Sequence, residues 1–483
     1  MTRARSRPKH FRRILLGLFA IVALTIILAV RPVDDTSYFQ TSYYAATRAR
    51  LQNLVSDHEL AATRGRLNAG WGRTTLIPPL RQSSEQRAEQ HANNIPPQSA
   101  FPRLPLAGYS KRHGQPAQGV HDSLYASAIA LQVEDRKMVC ISLDALIVSR
   151  AMADGIMRHV QGEFGLQRHQ VMFGATHTHS SLGAWGEGIL AEQFAGEHNP
   201  GVLQWIIGQS VEAIRRALAD LSPASIACGE FSAPRHVANR LVGEKGRVDD
   251  GFSFIALRKD NGDHGIIGAY AAHATVLTFD NLQLSADYPG YWRNKIEKAV
   301  PGIAVFFAGA VGSHRPQGDG RGFDLARDIG EALADSLLPR LQKAEFHTGA
   351  SLRTLGLLVD LPPLHLRFTG DFRVAPWLAE KLVHERDSYL QLLALDSLLW
   401  IGTPCDFSGE MAAQLKEFSR TNGYQAMFTS FNGSYIGYLL PGKYYYYPAY
   451  ESRLMSFFGP YMGDYFEELI RRMMLGAAVN VIP

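Results

Sequence analysis

Two histidines, His177 and His179, lie at the end of the segment VMFGATHTHS (171–180). The apolar run before them predicts a buried strand. Because residues two apart on a strand point to one face, both imidazoles would emerge on the same side of the strand's end. Neutral imidazole is a common zinc ligand and can also transfer protons near neutral pH. The alternative is a structural pair satisfied by its neighbours.

Five other places carry side chains suited to such chemistry. His273 follows an apolar strand in YAAHATVL, where the alternative is a capped core histidine. Glu410 stands where an apolar strand passes through Gly and Pro into a helix, and a helix N-terminus favours a carboxylate in any case. The remaining candidates are the segment YIGY (435–438), which could be packed aromatics, the small-residue turn GAVGS (309–313), and Arg240.

Together these segments resemble the neutral/alkaline non-lysosomal ceramidases, and the resemblance extends from about Leu67 to Pro460. GATHTHS is very similar to that family's Gly-Thr-His-Thr-His-Ser signature, and the segment 404–410 resembles its Pro-Gly-Glu. The other matching segments are 69–73 with 77–79, 108–109, 119–126, His273 with 287–291, 435–438 with Tyr445, 450–451 and 459–460.

The resemblance implies a zinc site built from two histidines, a glutamate and a tyrosine, which would be His177, His273, Glu410 and Tyr438. Nitrogen and oxygen donors suit zinc, and a catalytic zinc keeps an open position for a water whose pKa it lowers to roughly 7. In the family the second histidine of the signature is not a ligand. It would donate a proton to the leaving nitrogen or hold the developing oxyanion, and here it is His179.

Three further residues match family positions near the substrate. Arg240 and Tyr450 would lie near the substrate carbonyl, where a fixed cation and a phenol stabilise negative charge. Ser313 would lie beside the sphingoid hydroxyls as a hydrogen-bond partner. A serine nucleophile would need an adjacent base, and a zinc-activated water makes that nucleophile unnecessary.

The sequence departs from the family pattern at two loops. The family's Gly-Asp-Val-Ser-Pro is replaced by VGSHRP (311–316), which has no acid just before the serine. The Gly-Pro-Gly-Gly after the histidine signature is replaced by SLGAW (181–185). Because these loops would line the pocket, the sequence does not fix the acyl substrate.

Composition restricts the class of protein. With 46% apolar and 19% charged residues, the chain is typical of a globular protein. Six of its 49 basic residues lie in the first 13 positions, and the rest nearly balance the 45 acidic residues, so nucleic-acid binding is not expected. The three cysteines are widely spaced and lack a Cys-x-x-Cys pattern, which favours buried thiols over one disulfide.

The N-terminus predicts a single-pass membrane anchor. Residues 1–13 form a basic cytoplasmic tail, and residues 14–30 are an apolar run long enough to span a bilayer. A cleaved signal peptide is the alternative, although the run lacks a good small-residue cleavage site. Both interpretations place the rest of the chain outside the cytoplasm.

Beyond the anchor, the sequence predicts a helical linker over residues 31–66, with a helix at about 41–60. A catalytic domain is expected over 67–483. Alternating strands and helices predict an α/β fold with a layered mixed sheet and flanking helices. The chain ends soon after 459–460, so we expect no C-terminal immunoglobulin-like domain. The strands are expected at 127–133, 138–143, 171–175, 252–257, 266–272, 303–308, 351–358, 395–401 and 425–430. Helices are expected at 150–164, 202–221, 290–300, 324–343, 408–421 and 460–475, and an exposed loop at 81–102.

The sequence therefore predicts a zinc-dependent hydrolase that cleaves the N-acyl amide bond of ceramide or a similar lipid, met at the membrane surface. Two alternatives remain open. One is a zinc hydrolase that acts on an ester or another N-acyl amide. The other is a non-catalytic, membrane-anchored lipid-binding protein on the same fold.

Overall fold

The computed structural model describes residues 9–78, 80–81, 98–99, 104–383 and 385–478. Its centre is a branched, mixed sheet of twelve strands. In chain order these are β1 (Thr63–Thr75), β2 (Tyr125–Val133), β3 (Arg136–Leu143), β4 (Val171–Ala175), β5 (Ser222–Ser232), β6 (Gly251–Lys259), β7 (His264–Tyr270), β8 (Gly302–Ala308), β9 (Gly349–Asp360), β10 (Asp387–Leu395), β11 (Leu398–Gly402) and β12 (Gln425–Thr429).

The strand order is β8-β7-β6-β5-β1-β9-β10-β11-β12, and a branch of β2, β3 and β4 leaves from β1. Three neighbouring pairs are parallel: β3 with β4, β7 with β8, and β11 with β12. The other pairs are antiparallel. The loops that follow the parallel strands carry the side chains of the candidate site.

The described residues form eight long helices, of which all but the first pack around the sheet. They are α1 (Lys9–Ala29), α2 (Ser42–Ser56), α3 (Arg150–Phe164), α4 (Pro200–Ala219), α5 (Asp287–Ala299), α6 (Gly322–Lys343), α7 (Gly409–Thr421) and α8 (Met462–Ala478). Short helices cover Ile189–Ala195, Pro376–Ala379 and Tyr450–Arg453.

The core has four apolar clusters arranged in layers. One lies between faces of the sheet, where Met172 of β4, Phe307 of β8 and Trp400 of β11 are fully buried. The other three lie between the sheet and helices: α3 and α4 on one branch, α5 and α6 on β6 to β8, and α2, α7 and α8 on β9 to β12. Helices cover the outer faces, so most strands are buried on both sides.

Two glycines explain how α4 approaches the sheet. A Cβ at Gly70 of β1 would lie 2.3 Å from the Ala217 carbonyl oxygen, and one at Gly72 would lie 2.3 Å from that of Ala213. Only glycine permits such close contact between a strand and a helix backbone. These glycines weaken the strand pattern in the sequence, and we did not predict β1.

Most predicted elements are confirmed with small shifts of their ends, and the strand at 171–175 and the helix at 150–164 have the predicted bounds. The strand predicted at 395–401 is confirmed over 398–401 as β11, but its start is wrong, because β10 and β11 form a hairpin that turns at Asp396, which has a positive φ of 53°. Neither β5 nor β10 was predicted. The helix expected to act as a linker, α2, packs instead on β9 and α8 through Tyr44, Thr47 and Leu51.

Three sequence predictions concern the remaining parts of the chain. Among the residues that the structure describes, no helix is both long and apolar enough to cross a membrane, so the anchor at 14–30 is not supported. Most of the loop predicted at 81–102, and residues 1–8 of the basic tail, lie outside the described residues. Cys140 and Cys405 are buried as expected and Cys228 is exposed; all three are free thiols.

Trp400 tests the inner core. It is fully buried, its indole donates a hydrogen bond to Thr429 Oγ1 at 2.8 Å, and it meets the Phe307 ring edge-on. We expect Trp400→Ala to lower the free energy of unfolding by about 3–5 kcal/mol because it leaves a cavity between packed faces. Urea unfolding measures this change. The control is Trp377→Ala, which alters an exposed indole and should cost less than about 1 kcal/mol. Equal losses would contradict the assignment of Trp400 to the core.

Candidate active site

Two imidazoles face each other at the ends of the parallel strands. His177 follows β4 and His273 follows β7, and their Nε2 atoms lie 2.8 Å apart. His177 Nδ1 lies 2.6 Å from the Leu146 carbonyl oxygen, and His273 Nδ1 lies 2.9 Å from that of Val311. Each Nδ1 must therefore carry the proton, and each neutral ring presents its Nε2 lone pair to the other.

Burial keeps both rings neutral. His177 is 3% exposed and His273 is 1% exposed. Burial lowers the pKa of His177 to about 3 and the pKa of His273 well below its usual value. Loss of water penalises the charged imidazolium, and Arg240 adds a positive charge nearby. Neutral histidines with free Nε2 atoms are the form that binds a metal.

His177 is held in an unusual backbone conformation. Its φ is 60°, and Phe431, whose φ is 68°, stacks on its ring at a centroid distance of 4.2 Å. Positive φ is costly for residues of this size and persists where the surrounding structure imposes it, often at functional sites. The stack and the Leu146 carbonyl fix the direction in which Nε2 points.

A buried carboxylate completes the group. Asp406 Oδ1 lies 3.5 Å from His177 Nε2 and 3.6 Å from His273 Nε2, and it has no hydrogen-bond partner among the described residues. Asp406 Oδ2 accepts a hydrogen bond from Tyr435 Oη at 2.8 Å. Burial raises the pKa of Asp406 to about 7, although Tyr435, Arg240 and Tyr438 oppose that shift.

A short pair of strands places Asp406 beside Tyr438. Asp406–Phe407 runs parallel to Tyr438–Leu439, with Asp406 opposite Tyr438. The Tyr438 hydroxyl accepts a hydrogen bond from Arg240 Nη2 at 3.0 Å. This pairing brings a carboxylate and a phenol from distant parts of the chain to the same place.

These donors fit a divalent metal ion. Two Nε2 lone pairs at 2.8 Å repel each other, and a buried Asp406 oxygen without a partner is costly. One cation between His177, His273 and Asp406 would satisfy all three, with Tyr438 as a fourth donor. Imidazole and carboxylate donors in this number suit zinc.

His179 lies beside His177 as predicted, although both residues follow the strand, which ends at Ala175. Its Nε2 is 3.4 Å from His177 Nε2, and the three histidines form a group whose nitrogens lie within 4.8 Å of one another. His179 also lines the adjoining cavity. It is therefore close enough to act beside a metal, either as a ligand or as a proton donor.

Arg240 and Tyr450 are brought to this site as predicted. Arg240 Nε lies 2.7 Å from Glu451 Oε1, and this ion pair fixes a guanidinium that is partly exposed at the cavity. Backbone pairing of Val237–Asn239 with His314–Pro316 supports the position of Arg240. The Tyr450 ring lies 6.3 Å from the Tyr438 ring and, at 45% exposure, stands near the mouth of the cavity.

Two predicted residues lie elsewhere. Glu410 is buried in the first turn of α7, where its Oε1 accepts from Lys443 Nζ at 2.5 Å and both of its oxygens contact the Tyr444 hydroxyl. The structure does not bring Glu410 to the histidines. Ser313 is 1% exposed and does not line the cavity; its carbonyl accepts the Arg240 N–H, and its hydroxyl accepts from Ser408.

Sequence reasoning missed Asp406, although a signal was present. In Pro-Gly-Glu the acid follows the proline by two positions, and Asp406 follows Pro404 by two. Gly409-Glu410 has the residue types of that motif, but Glu410 lies four positions after Asp406, about one helical turn further along the chain. Asp in place of Glu concealed the correct register.

The candidate metal ligands His177, His273, Asp406 and Tyr438 lie in the wall of a cavity of about 900 Å³. The cavity's remaining walls are largely apolar and include Ile147, Trp185, Phe194, Val383 and Phe457. Trp185 is 4% exposed, and its indole donates to the Leu182 carbonyl oxygen at 3.0 Å. The altered loop at 181–185 therefore lines the pocket as expected, whereas no residue at 311–316 does.

Asp406 and Glu410 provide a direct test of the metal site. We expect Asp406→Asn to weaken binding of a divalent metal at least about 100-fold, since even outer-shell partners change affinity 10- to 100-fold. Glu410→Gln should leave metal affinity unchanged, because that carboxylate contacts Lys443 and Tyr444 instead. Chelator competition on the purified protein measures both. The reverse order of effects would show that Glu410 is the ligand.

Comparisons with known proteins find similarity to the neutral ceramidases. The model of "Neutral/alkaline non-lysosomal ceramidase, N-terminal" matches residues 102–311. The neutral ceramidase of Pseudomonas aeruginosa is 24% identical over 252 residues, which are 47% of this chain and 38% of that protein. The neutral ceramidase of Mycobacterium tuberculosis is 23% identical over 299 residues, which are 54% of this chain and 47% of that protein. These sequence matches thus cover less than half the length of each relative.

Solved structures agree on the fold. The crystal structure of neutral ceramidase from P. aeruginosa matches with a TM-score of 0.69 at 19% identity, over 86% of this chain and 74% of that one. A structure of a ceramidase complexed with C2 matches with a TM-score of 0.69 at 20% identity, over 86% and 75%. At this identity the likeness shows the fold alone. The predicted resemblance is confirmed: residues 102–311 match the N-terminal domain of the neutral/alkaline non-lysosomal ceramidases, and the chain has a neutral-ceramidase fold.

Proposed function

We propose that the protein is a zinc-dependent amidohydrolase that cleaves the N-acyl amide bond of ceramide or a ceramide-like lipid. The observation that carries the proposal is the group of His177, His273 and Asp406 in the wall of a largely apolar cavity. An apolar cavity with a few convergent polar groups is typical of a site for a mainly hydrocarbon ligand.

The metal-holding residues in this proposal are His177, His273, Asp406 and Tyr438. Bound zinc supplies a Lewis acid and lowers the pKa of a coordinated water to roughly 7. The net reaction adds water across the amide: the carbonyl carbon gains an oxygen, the C–N bond breaks, and the nitrogen takes a proton. A fatty acid and an amine leave.

The other polar residues act on the substrate. Arg240, fixed by Glu451, directs positive charge at the place where the carbonyl oxygen becomes negative, and Tyr450 can donate a hydrogen bond there. His179, which lines the cavity beside His177, is placed to hand a proton to the leaving nitrogen. Ser313 holds Arg240 through its carbonyl and has no direct role on the substrate.

A second candidate is hydrolysis of another N-acyl amide or an ester by the same residues. Trp185 supports this second candidate, because its buried indole lies in a loop that departs from the family pattern and lines the cavity. The single-pass anchor and the extracytoplasmic location of the domain stay predictions from the sequence.

Fatty-acid release decides between the candidates. The full chain, loaded with zinc, is assayed on ceramide, an acyl-homoserine lactone, an N-acyl amino acid and a fatty-acid ester. We expect release from ceramide or a related lipid amide, its loss on chelation and its return with zinc. Release from the ester alone would support the second candidate. Stoichiometric zinc without any release would favour a binding protein.

His179 should separate metal binding from turnover. We expect His179→Ala to keep its zinc while kcat falls about 10²- to 10⁴-fold, the usual contribution of a positioned general acid. Metal analysis and rate measurements on one preparation test this. The matched control is His347→Ala, which removes a histidine paired with Asp396 away from the cavity. Loss of zinc from the His179 variant would make that residue a ligand.

A further inference from the structure

One buried arginine, Arg112, makes hydrogen bonds only to backbone carbonyls among the described residues. It is 2% exposed, and its guanidinium donates to the carbonyl oxygens of Ala107 (3.1 Å), Thr278 (3.2 Å) and Phe279 (3.2 Å). It also makes a short hydrogen bond to the carbonyl oxygen of His179. It forms no salt bridge with any described residue. Burying a cation without a carboxylate is expensive, so this arrangement needs a reason.

The four carbonyls belong to three separate stretches of chain that meet around His179. Ala107 precedes the turn that carries Arg112, His179 is the candidate proton donor, and 278–279 lie in the loop that follows His273. A guanidinium presents five N–H donors in a rigid plane, so one side chain can hold several acceptors in fixed relative positions. Arg112 thereby connects the backbone of both histidine loops.

Tyr109 adds a second constraint on the same ring. Its aromatic ring lies 4.7 Å from the His179 ring, and its hydroxyl donates to the Leu277 carbonyl oxygen at 3.0 Å. The Arg112 guanidinium lies 4.9 Å above the Tyr109 ring. The His179 ring is thus contacted by an aromatic side chain that Arg112 itself supports.

The backbone at Gly108, next to Tyr109, passes close to His179. Gly108 has a φ of 125°, and a Cβ there would lie 2.6 Å from His179 Cβ. Only glycine allows the chain to pass so near. Residues 107–112 therefore form a clasp around His179, which we call the His179 clasp.

We propose that Arg112 is a positioning residue that, through the His179 clasp, fixes the His179 ring relative to His177 and His273. Its kinetic consequence rests on the proposed function, whereas its structural consequence does not. A displacement of about 1 Å in a reacting group can cost about 100-fold in rate. The clasp thus accounts for the burial of an arginine that touches neither the metal ligands nor the cavity.

Three variants test the proposal, together with a matched control. Arg112→Ala removes the clasp, Arg112→Lys keeps a charge but loses the planar fork, and Tyr109→Phe removes only the hydrogen bond to Leu277. The control is Arg353→Ala. Arg353 is also 2% exposed and donates to three carbonyls, those of Leu60, Gly476 and Val55, but it lies away from the site.

Kinetics on the zinc-loaded full chain give the first readout. We expect Arg112→Ala to lower kcat about 10- to 100-fold with KM within about 3-fold and zinc content unchanged. Arg112→Lys should recover part of kcat, and Tyr109→Phe should lose less than Arg112→Ala. Arg353→Ala should retain kcat even if its melting temperature falls. Equal kcat in the two arginine-to-alanine variants would overturn the proposal.

Modification of His179 by diethyl pyrocarbonate, followed by peptide mass spectrometry, gives a readout that needs no turnover. We expect the rate of carbethoxylation at His179 to change several-fold in Arg112→Ala. In Arg353→Ala the rate should equal that of the protein without substitutions. If Arg112→Ala does not fold, Arg112→Lys decides: an unchanged His179 rate would overturn the proposal. Absence of hydrolysis in the unsubstituted protein would refute the proposed function and leave this test standing.

Discussion

The site depends on one electrostatic conflict: two neutral imidazoles point their Nε2 lone pairs at each other across 2.8 Å. Beside them lies a buried Asp406 oxygen that has no hydrogen-bond partner in the described part of the chain. Backbone carbonyls at Leu146 and Val311 fix the proton of each ring on Nδ1, so neither ring can relieve the repulsion by changing tautomer. A cation held between them would resolve it. The fold keeps His177 in this position with a positive φ of 60°, which is a costly backbone conformation.

The sheet makes this arrangement possible because its three parallel pairs end near one another. β4 supplies His177 and His179, β7 supplies His273, and the segments after β11 and β12 supply Asp406 and Tyr438. Binding sites at the carboxyl ends of parallel strands are common in α/β folds, since the loops there can converge while the strands stay rigid. The helices that cover the outer faces keep those strands buried and fixed.

The rest of the cavity combines polar and apolar surface, as the proposed lipid amide substrate would require. Polar atoms gather at the histidines, Arg240 and the tyrosines, whereas side chains such as Phe194 and Phe457 provide apolar walls. Hydrocarbon burial can then supply binding energy while the polar end orients the scissile bond. Trp185 is part of this wall, so the loop at 181–185, which differs from the family pattern, lines the cavity.

The sequence alone determined the α/β class, most helices and strands, and the candidate residues that sit in short local motifs. His177, His179 and His273 were found because apolar strands lead directly into them. Other features required the tertiary structure. β1 escaped notice because Gly70 and Gly72 serve a contact with α4 rather than a strand pattern. Asp406 was missed because an aspartate stands where the family motif has a glutamate, while Gly409-Glu410 offered a closer match in sequence. The tertiary structure decided between the two carboxylates, since pairing with Tyr438, 32 positions away in the chain, places Asp406 beside the histidines.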